Sequence, residues 1–310
     1  MSAAQAILAG LATIVLFLHA LEGFSRQLRE AGGERLERWL RKVTSRRVLG
    51  FLAGAAATAV VQSSSAVTAL AVSLVESGVL SFRASLSVLL GANVGTTSTA
   101  WLVSFKLTGI GPFFLVLGAL TSALPTRAKV YGQPLFYFGL LFFALDLVSG
   151  ALSPLREQRV VMEWLARAHE PYVAVAFGAV FTALVQSSSV TTGLAIVFVQ
   201  QGLLPPESAI ATVIGANIGT TSTALLASLP MGRTARAAAT ANVLFNAIGA
   251  LLLWPFVASF ARAVVERAPS ADTSVAWAHL VFNLAVALPT LALLGFIEPA
   301  LVRRFNLARS

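Results

Sequence analysis

Apolar residues run along this chain in long blocks, and the polar residues that break them fall at regular places. Predominantly apolar stretches near residues 5–24, 84–105, 109–125, 135–152, 208–229, 237–257 and 275–298 read as seven membrane-spanning helices. Two further apolar segments, 48–78 and 171–202, are each divided at the centre by Gln-Ser-Ser-Ser into two arms of about 14 residues. An arm of that length reaches about 20 Å as helix, short of a hydrocarbon core of about 30 Å. Each segment is therefore predicted to be a re-entrant hairpin that enters and leaves by one face. Its tip backbone must be satisfied by protein or water. The stretch Ser25–Arg47 is too charged to span and is predicted to lie along the cytoplasmic surface as an amphipathic helix, drawn to anionic lipid.

The two hairpin segments belong to an internal duplication. Phe51–Ser104 aligns with Val175–Ser228 without a gap, giving 26 identities in 54 positions. "VQSSSAVTAL" (Val61–Leu70) matches "VQSSSVTTGL" (Val185–Leu194), and "GANVGTTSTA" (Gly91–Ala100) matches "GANIGTTSTA" (Gly215–Ala224), both at an offset of 124 residues.

Charge orients the duplication. With Arg26–Arg47 on the cytoplasmic side, the loops of that side sum to +13 and those of the opposite side to zero, as the positive-inside rule requires. Arg83 aligns with Glu207, so one repeat position is basic inside and acidic outside. Had each Gln-Ser-Ser-Ser segment crossed once, that agreement would be lost. The predicted fold is an all-α polytopic membrane protein of two inverted-topology repeats, each with a re-entrant hairpin and a broken transmembrane helix, an arrangement typical of secondary transporters.

Residues 1–310 form one transmembrane domain in this reading. Residues 1–47 carry the first span and the surface helix. The first repeat core is 48–134, with hairpin 48–78 and broken helix 84–105, and 135–170 is a span with an outer connector. The second repeat core is 171–298, with hairpin 171–202 and broken helix 208–229, and 299–310 is a cytoplasmic tail. The expected location is the cytoplasmic membrane, N-terminus outside and C-terminus inside. The first residues carry no Lys or Arg before the apolar run, which favours a retained first helix over a cleaved signal.

Composition removes several functions. Only 11% of residues are charged, well under the share usual in a soluble domain. The net charge of +9 is confined to loops, without the aromatic-basic patch of a nucleic-acid binder. No cysteine is present, and the three histidines (His19, His169, His279) lack metal-ligand spacing. An intramembrane serine hydrolase would need a serine with a paired base; there is no GxSxG elbow, and a duplicated nucleophile with one base makes poor sense. No cofactor is expected, and nothing in the sequence requires an oligomer.

The duplicated polar motifs carry the candidate chemistry. Where a membrane helix breaks, free N–H groups at a half-helix N-terminus suit an anion, while unwound carbonyls and hydroxyls suit a cation such as Na⁺. The motifs contain no charge. A multivalent anion bound there would need N–H groups, hydroxyls and co-bound cations to balance it, whereas a proton path would show carboxylates. Two tips and two breaks converging near the midplane would enclose one substrate with its coupling ions. The simpler reading is helix packing through Gly91-xxx-Gly95 and Gly215-xxx-Gly219 with hydroxyl cross-links; two copies at one spacing argue against packing alone. Asn242, Asn246 and Asn283 suit interhelical bonds or the site, and Asp146 a cation or a structural bond. A passive anion channel would be separated from a transporter by sodium coupling.

With these motifs the chain resembles the type II sodium–phosphate cotransporters and their bacterial relatives, over about residues 48–297. "NVLFNAIG" (Asn242–Gly249) and "HLVFN" (His279–Asn283) resemble the later polar helices of that family. The resemblance implies sodium-driven movement of inorganic phosphate, with lipid bilayer as surroundings and Na⁺ as coupling ion. The implied substrate and ion residues are Gln62, Ser63, Ser64 and Ser65 with Gln186, Ser187, Ser188 and Ser189. Thr96, Thr97, Ser98 and Thr99 with Thr220, Thr221, Ser222 and Thr223 come next, and Asn93 and Asn217 support them. Arsenate or sulfate is the nearest alternative cargo, and direction of flux stays open. The sequence ends at Ser310, without the PhoU-like helical domain of many bacterial relatives or the large extracellular loop of animal ones.

Overall fold

The computed structural model describes residues 3–43, 46–105, 107, 109–152 and 170–307. Every regular element among them is helical, and six stretches are long and apolar enough to cross a membrane: Leu8–Ala31, Phe82–Ser104, Ala128–Ala151, Pro206–Ser228, Arg233–Arg267 and Ala271–Phe305. The protein is an all-α, multi-pass membrane protein. Most of the expected outer connector, residues 153–169, lies outside the described residues.

The duplication is visible element by element. The first repeat holds α2 (Arg47–Val61), α3 (Ser64–Glu76), α4 (Phe82–Gly95) and α5 (Thr97–Ser104). After α6 (Ile110–Ala123) and α7 (Gly132–Leu152), the second holds α8 (Pro171–Val185), α9 (Ser188–Gln200), α10 (Pro206–Gly219) and α11 (Thr221–Ser228). Equivalent helices have equal length and start 124 residues apart: 47 and 171, 64 and 188, 82 and 206, 97 and 221. The chain closes with α12 (Arg233–Leu253), α13 (Val257–Arg267) and α14 (Ala271–Phe305).

Glycine sets how closely the repeat helices approach. A Cβ at Gly91 would strike the Phe51 carbonyl, one at Gly95 the Ala55 carbonyl and one at Gly54 the Val88 carbonyl. The second repeat copies this, with Gly215 on Val175, Gly219 on Ala179 and Gly178 on Thr212. Thus α2 lies backbone to backbone on α4, and α8 on α10, as small residues allow between membrane helices. The second arm of each hairpin then packs on the short helix of the other repeat, α3 on α11 and α9 on α5.

Contacts at the helix ends sort into two sets. The Arg47 guanidinium sits beside Gly295, Arg83 pairs with Glu298, and the Glu76 carboxylate accepts from Gly232 N–H at 2.9 Å. These join the starts of α2 and α4 to the last part of α14, and the end of α3 to the start of α12. At other helix ends, Gln200 donates to the Val103 carbonyl at 3.2 Å, Gln201 to Ser149 at 2.8 Å, and Ser104 to the Asp272 carbonyl at 3.2 Å. Tyr172, near the start of α8, packs with its ring 5.0 Å from that of Trp254, just beyond α12, and tilted by 33°.

Several expected boundaries move. The first span and the surface helix were expected to divide at Ser25; the chain instead runs through that point as one helix, α1 (Ala3–Val43). No proline stands in α1, and the pair Gly32-Gly33 does not interrupt it. Seven spans were expected, but the 109–125 segment forms the 14-residue α6, about 21 Å long. It is folded against α7 through Gly118 and Gly139, each of which faces helix backbone. The helix expected to end at 298 continues to Phe305, with Pro289 and Pro299 inside it.

Candidate functional site

The hairpin tips turn on one residue each. Gln62 and Gln186 adopt left-handed backbone, φ 56 and 61°, ending α2 and α8. Ser63 and Ser187 then cap the next helices, their hydroxyls accepting from Ala66 N–H at 3.3 Å and Val190 N–H at 3.4 Å. The caps leave the first N–H groups of α3 and α9, at Ser64, Ser65, Ser188 and Ser189, without intrahelical partners.

The glutamine side chains tie each tip to the short helix of its own repeat. Gln62 Nε2 donates to the Ala59 carbonyl at 2.6 Å and to Ser98 Oγ at 2.9 Å. Gln186 Nε2 donates to the Ala183 carbonyl and to Ser222 Oγ, the latter at 3.1 Å. Both serines donate in turn to a glycine carbonyl at 2.8 Å, Gly95 and Gly219.

The expected breaks at Gly91–Thr99 and Gly215–Thr223 are each one residue wide. Thr96 and Thr220 keep helical backbone, and the helix tightens there, with Thr99 N–H reaching the Thr96 carbonyl at 3.2 Å and Thr223 N–H the Thr220 carbonyl at 3.3 Å. The hydroxyls explain why the helix does not unwind. Thr96 donates to Ala92 O, Thr97 to Val94 O and Thr221 to Ile218 O, at 3.0, 2.8 and 2.6 Å, keeping helix carbonyls bonded in apolar surroundings.

Both tips line one cavity of about 460 Å³. Its wall contains Gln62, Ser63, Ser64, Ser65, Gln186, Ser187, Ser188, Ser189 and Thr223. Ser64 and Ser188 are 6% and 3% exposed, and among the described residues their hydroxyls have no hydrogen-bond partner. The repeats meet at Thr99, whose hydroxyl donates to Gln62 Oε1 at 2.9 Å and lies 3.3 Å from Ser189 Oγ. Symmetry ends here: Thr223, the equivalent of Thr99, has its hydroxyl buried without a partner, as does Thr220.

The remaining expected residues stand back from the cavity. Asn93 donates to Asn242 Oδ1 at 3.1 Å, and Asn217 to the Val213 carbonyl of its own helix at 2.9 Å. Asn246 and Asn283 likewise bond one turn back, to the Asn242 and His279 carbonyls. Asp146 accepts from Gly109 N–H at 3.2 Å, beside a second and smaller cavity of about 250 Å³.

Sequence reasoning missed α1. Leu21, Glu22, Ser25 and Arg29 form part of the wall, and Glu22 and Arg29 are its charged side chains. The four motifs contain no charge, and the charge of the cavity wall comes from α1. The spacing 22, 25, 29 on one helical face was the available signal. It was masked by the charge density after residue 25, which suggested a separate surface element.

Comparison with known proteins finds a family and several relatives. A family model described as Na+/Pi-cotransporter matches residues 16–150 and 152–264. The uncharacterized protein YqeW of Bacillus subtilis is 31% identical over 280 residues, covering 89% of this chain and 91% of its own. YjbB of Escherichia coli (strain K12), named as a candidate inorganic phosphate export protein, is 29% identical over 270 residues; the chain spans about half of it, 49%. The sodium-dependent phosphate transport protein 2B of Homo sapiens is 32% identical over 136 residues, covering 40% of this chain and 20% of its own. No solved structure matches. With the match running through both hairpins and both threonine-rich helices, the chain belongs to the Na+/Pi-cotransporter family.

Proposed function

We propose that the protein is a sodium-coupled secondary transporter of inorganic phosphate in the cytoplasmic membrane, working by alternating access. The observation that carries this reading is the single cavity walled by both Gln-Ser-Ser-Ser tips. Two helix N-termini aimed at one space offer together about one unit of positive charge. Phosphate at neutral pH carries more than one negative charge, so co-bound Na⁺ would supply the balance. The free hydroxyls of Ser64, Ser188 and Thr223 suit both partners, since a hydroxyl donates to a phosphate oxygen and turns its lone pairs to a cation. The names of the relatives support phosphate as cargo and sodium as driving ion.

Inverted topology fits the two sets of end contacts. The arms of the first hairpin end beside Gly295 and Gly232, and those of the second beside Val103, Ser149 and Trp254. Each hairpin then enters and leaves by one face, and the faces are opposite. With α6 counted as a seventh crossing beside the six longer stretches, the N-terminus is assigned outside and the C-terminus inside, because the Arg-rich loops belong to the first set. Single cysteines placed at Arg83 and at Glu207 in this cysteine-free chain are expected to react with impermeant maleimide from opposite sides of the membrane. Labelling from one side would contradict the inversion.

Reconstituted vesicles test the function. Labelled phosphate uptake is expected to follow an inward Na⁺ gradient and to fall to background when K⁺ replaces Na⁺. Equal flux in both salts would make the protein a passive conductor, and flux blocked by sulfate more strongly than by arsenate would reassign the cargo.

A further inference from the structure

We infer that Arg29 of α1 is a further substrate-contacting residue, supplying the guanidinium that receives the oxyanion in the cavity between the hairpin tips. The inference rests on the phosphate-transport reading of that cavity. Helix α1 lies ahead of the aligned segment Phe51–Ser104, and four of its residues form wall.

The helix is fixed there by polar and apolar contacts. Ser25 is 6% exposed, and its hydroxyl donates at 2.9 Å to the Gln62 carbonyl, a backbone group left over where α2 ends. Two turns earlier Phe17, fully buried, packs against Gly193 of α9, where an added Cβ would stand 3.0 Å from its ring. Helix α1 therefore holds to the first tip through Ser25 and to the second hairpin through Phe17. Arg29 follows one turn after Ser25 on the same face.

Its charge is uncommitted. Arg83 pairs with Glu298, Arg26 reaches Tyr137 Oη at 3.4 Å, and Arg267 donates to the Ala263 carbonyl at 2.8 Å. Among the described residues Arg29 has no such partner. Glu22, the acidic residue of the same wall, lies seven residues away, about 10 Å along the axis. That is too far for an ion pair. A partly buried guanidinium facing free hydroxyls and helix N-termini matches a tetrahedral oxyanion, which it can hold through two parallel N–H···O bonds. Its full unit of charge exceeds the half unit of either helix end. A lipid phosphate would offer the same chemistry, but the tips opposite Arg29 present hydroxyls and N–H groups, which favours a small free anion.

Equilibrium binding and flux together test this. Purified wild-type, Arg29→Gln and Arg29→Lys proteins would be titrated with labelled phosphate in saturating Na⁺. Each would also be reconstituted to measure uptake against phosphate and against Na⁺. Arg29→Gln is expected to weaken phosphate binding about tenfold or more, and to leave half-saturation by Na⁺ and the melting temperature unchanged. Arg29→Lys should recover part of the loss, and raised ionic strength should narrow the gap. Unchanged phosphate affinity in Arg29→Gln would overturn the inference. So would a loss shared by Arg29→Lys with a lowered melting temperature, which marks a structural role, or a loss confined to vesicles with anionic lipid, which marks a headgroup contact. Wild-type protein that binds phosphate but moves none would instead contradict the transport reading and leave the Arg29 contact standing.

Discussion

Ser64→Ala and Ser188→Ala are each expected to reduce apparent phosphate or sodium affinity by roughly ten- to hundredfold, with normal protein levels in the membrane. The two serines open α3 and α9 at equivalent positions, and both hydroxyls face the common cavity without a protein partner. Alanine removes a hydroxyl that nothing else among the described residues uses, so folding loses little. Binding loses one hydrogen bond to a charged ligand, about 1.5–3 kcal/mol. The double substitution should fall short of the product of the single effects, because residues that share a ligand are energetically coupled. Uptake measured against phosphate and Na⁺ for the four proteins decides this. A silent Ser64 beside an inactive Ser188 would make the first repeat a scaffold.

Gly91→Val and Gly215→Val are expected to prevent stable accumulation of the protein. At both positions an added Cβ would overlap a backbone carbonyl, Phe51 and Val175, and backbone cannot turn aside as a side chain does. Overpacking costs about 1–3 kcal/mol where side chains can adjust, and more where they cannot. Against a typical stability of about 5–15 kcal/mol, that is a large share. The hairpin would be levered away from α4 or α10, and its tip would leave the cavity. Gly150 of α7, with nothing within 4 Å, provides the contrast. Gly150→Ala should leave the melting temperature unchanged or raise it slightly. A Gly91→Val protein with wild-type melting temperature and level would contradict the close approach of α2 and α4.

The second motif divides by chemistry. In "GANVGTTSTA" the glycines serve packing, as Gly91 and Gly95 do against α2, so the simpler reading of the motif holds for them. The hydroxyls divide again. Thr96 and Thr97 bond back along their own helix, while Ser98 and Thr99 hold Gln62, and Thr99 reaches Ser189 across the repeats. One motif read as one function conceals three, because side chains three and four residues apart on a helix share a face while their neighbours point elsewhere.

The duplication and the hairpin tips were legible because each leaves a covalent trace: a fixed offset of 124, and a polar run too sharp for a continuous apolar helix. The role of α1 was not. Charge density after Ser25 suggested a surface segment, and the spacing 22, 25, 29 does not by itself say that Arg29 turns toward a cavity built from residues about 30 to 190 positions later. That placement depends on Phe17 seating on Gly193 and Ser25 on Gln62, contacts made only in the folded chain. The difference between Thr99 and Thr223 was equally hidden, since identical motifs at identical spacing are indistinguishable until the tips meet.

The shared site is tested most directly by counting phosphate. Purified protein at known concentration, in saturating Na⁺, would be titrated with labelled phosphate to saturation, as wild type and as Ser64→Ala and Ser188→Ala. One phosphate per chain, with affinity lowered by either substitution, is the expected result. Two phosphates per chain, with each substitution removing one and sparing the other, would show two independent half-sites and contradict a single site shared by the tips.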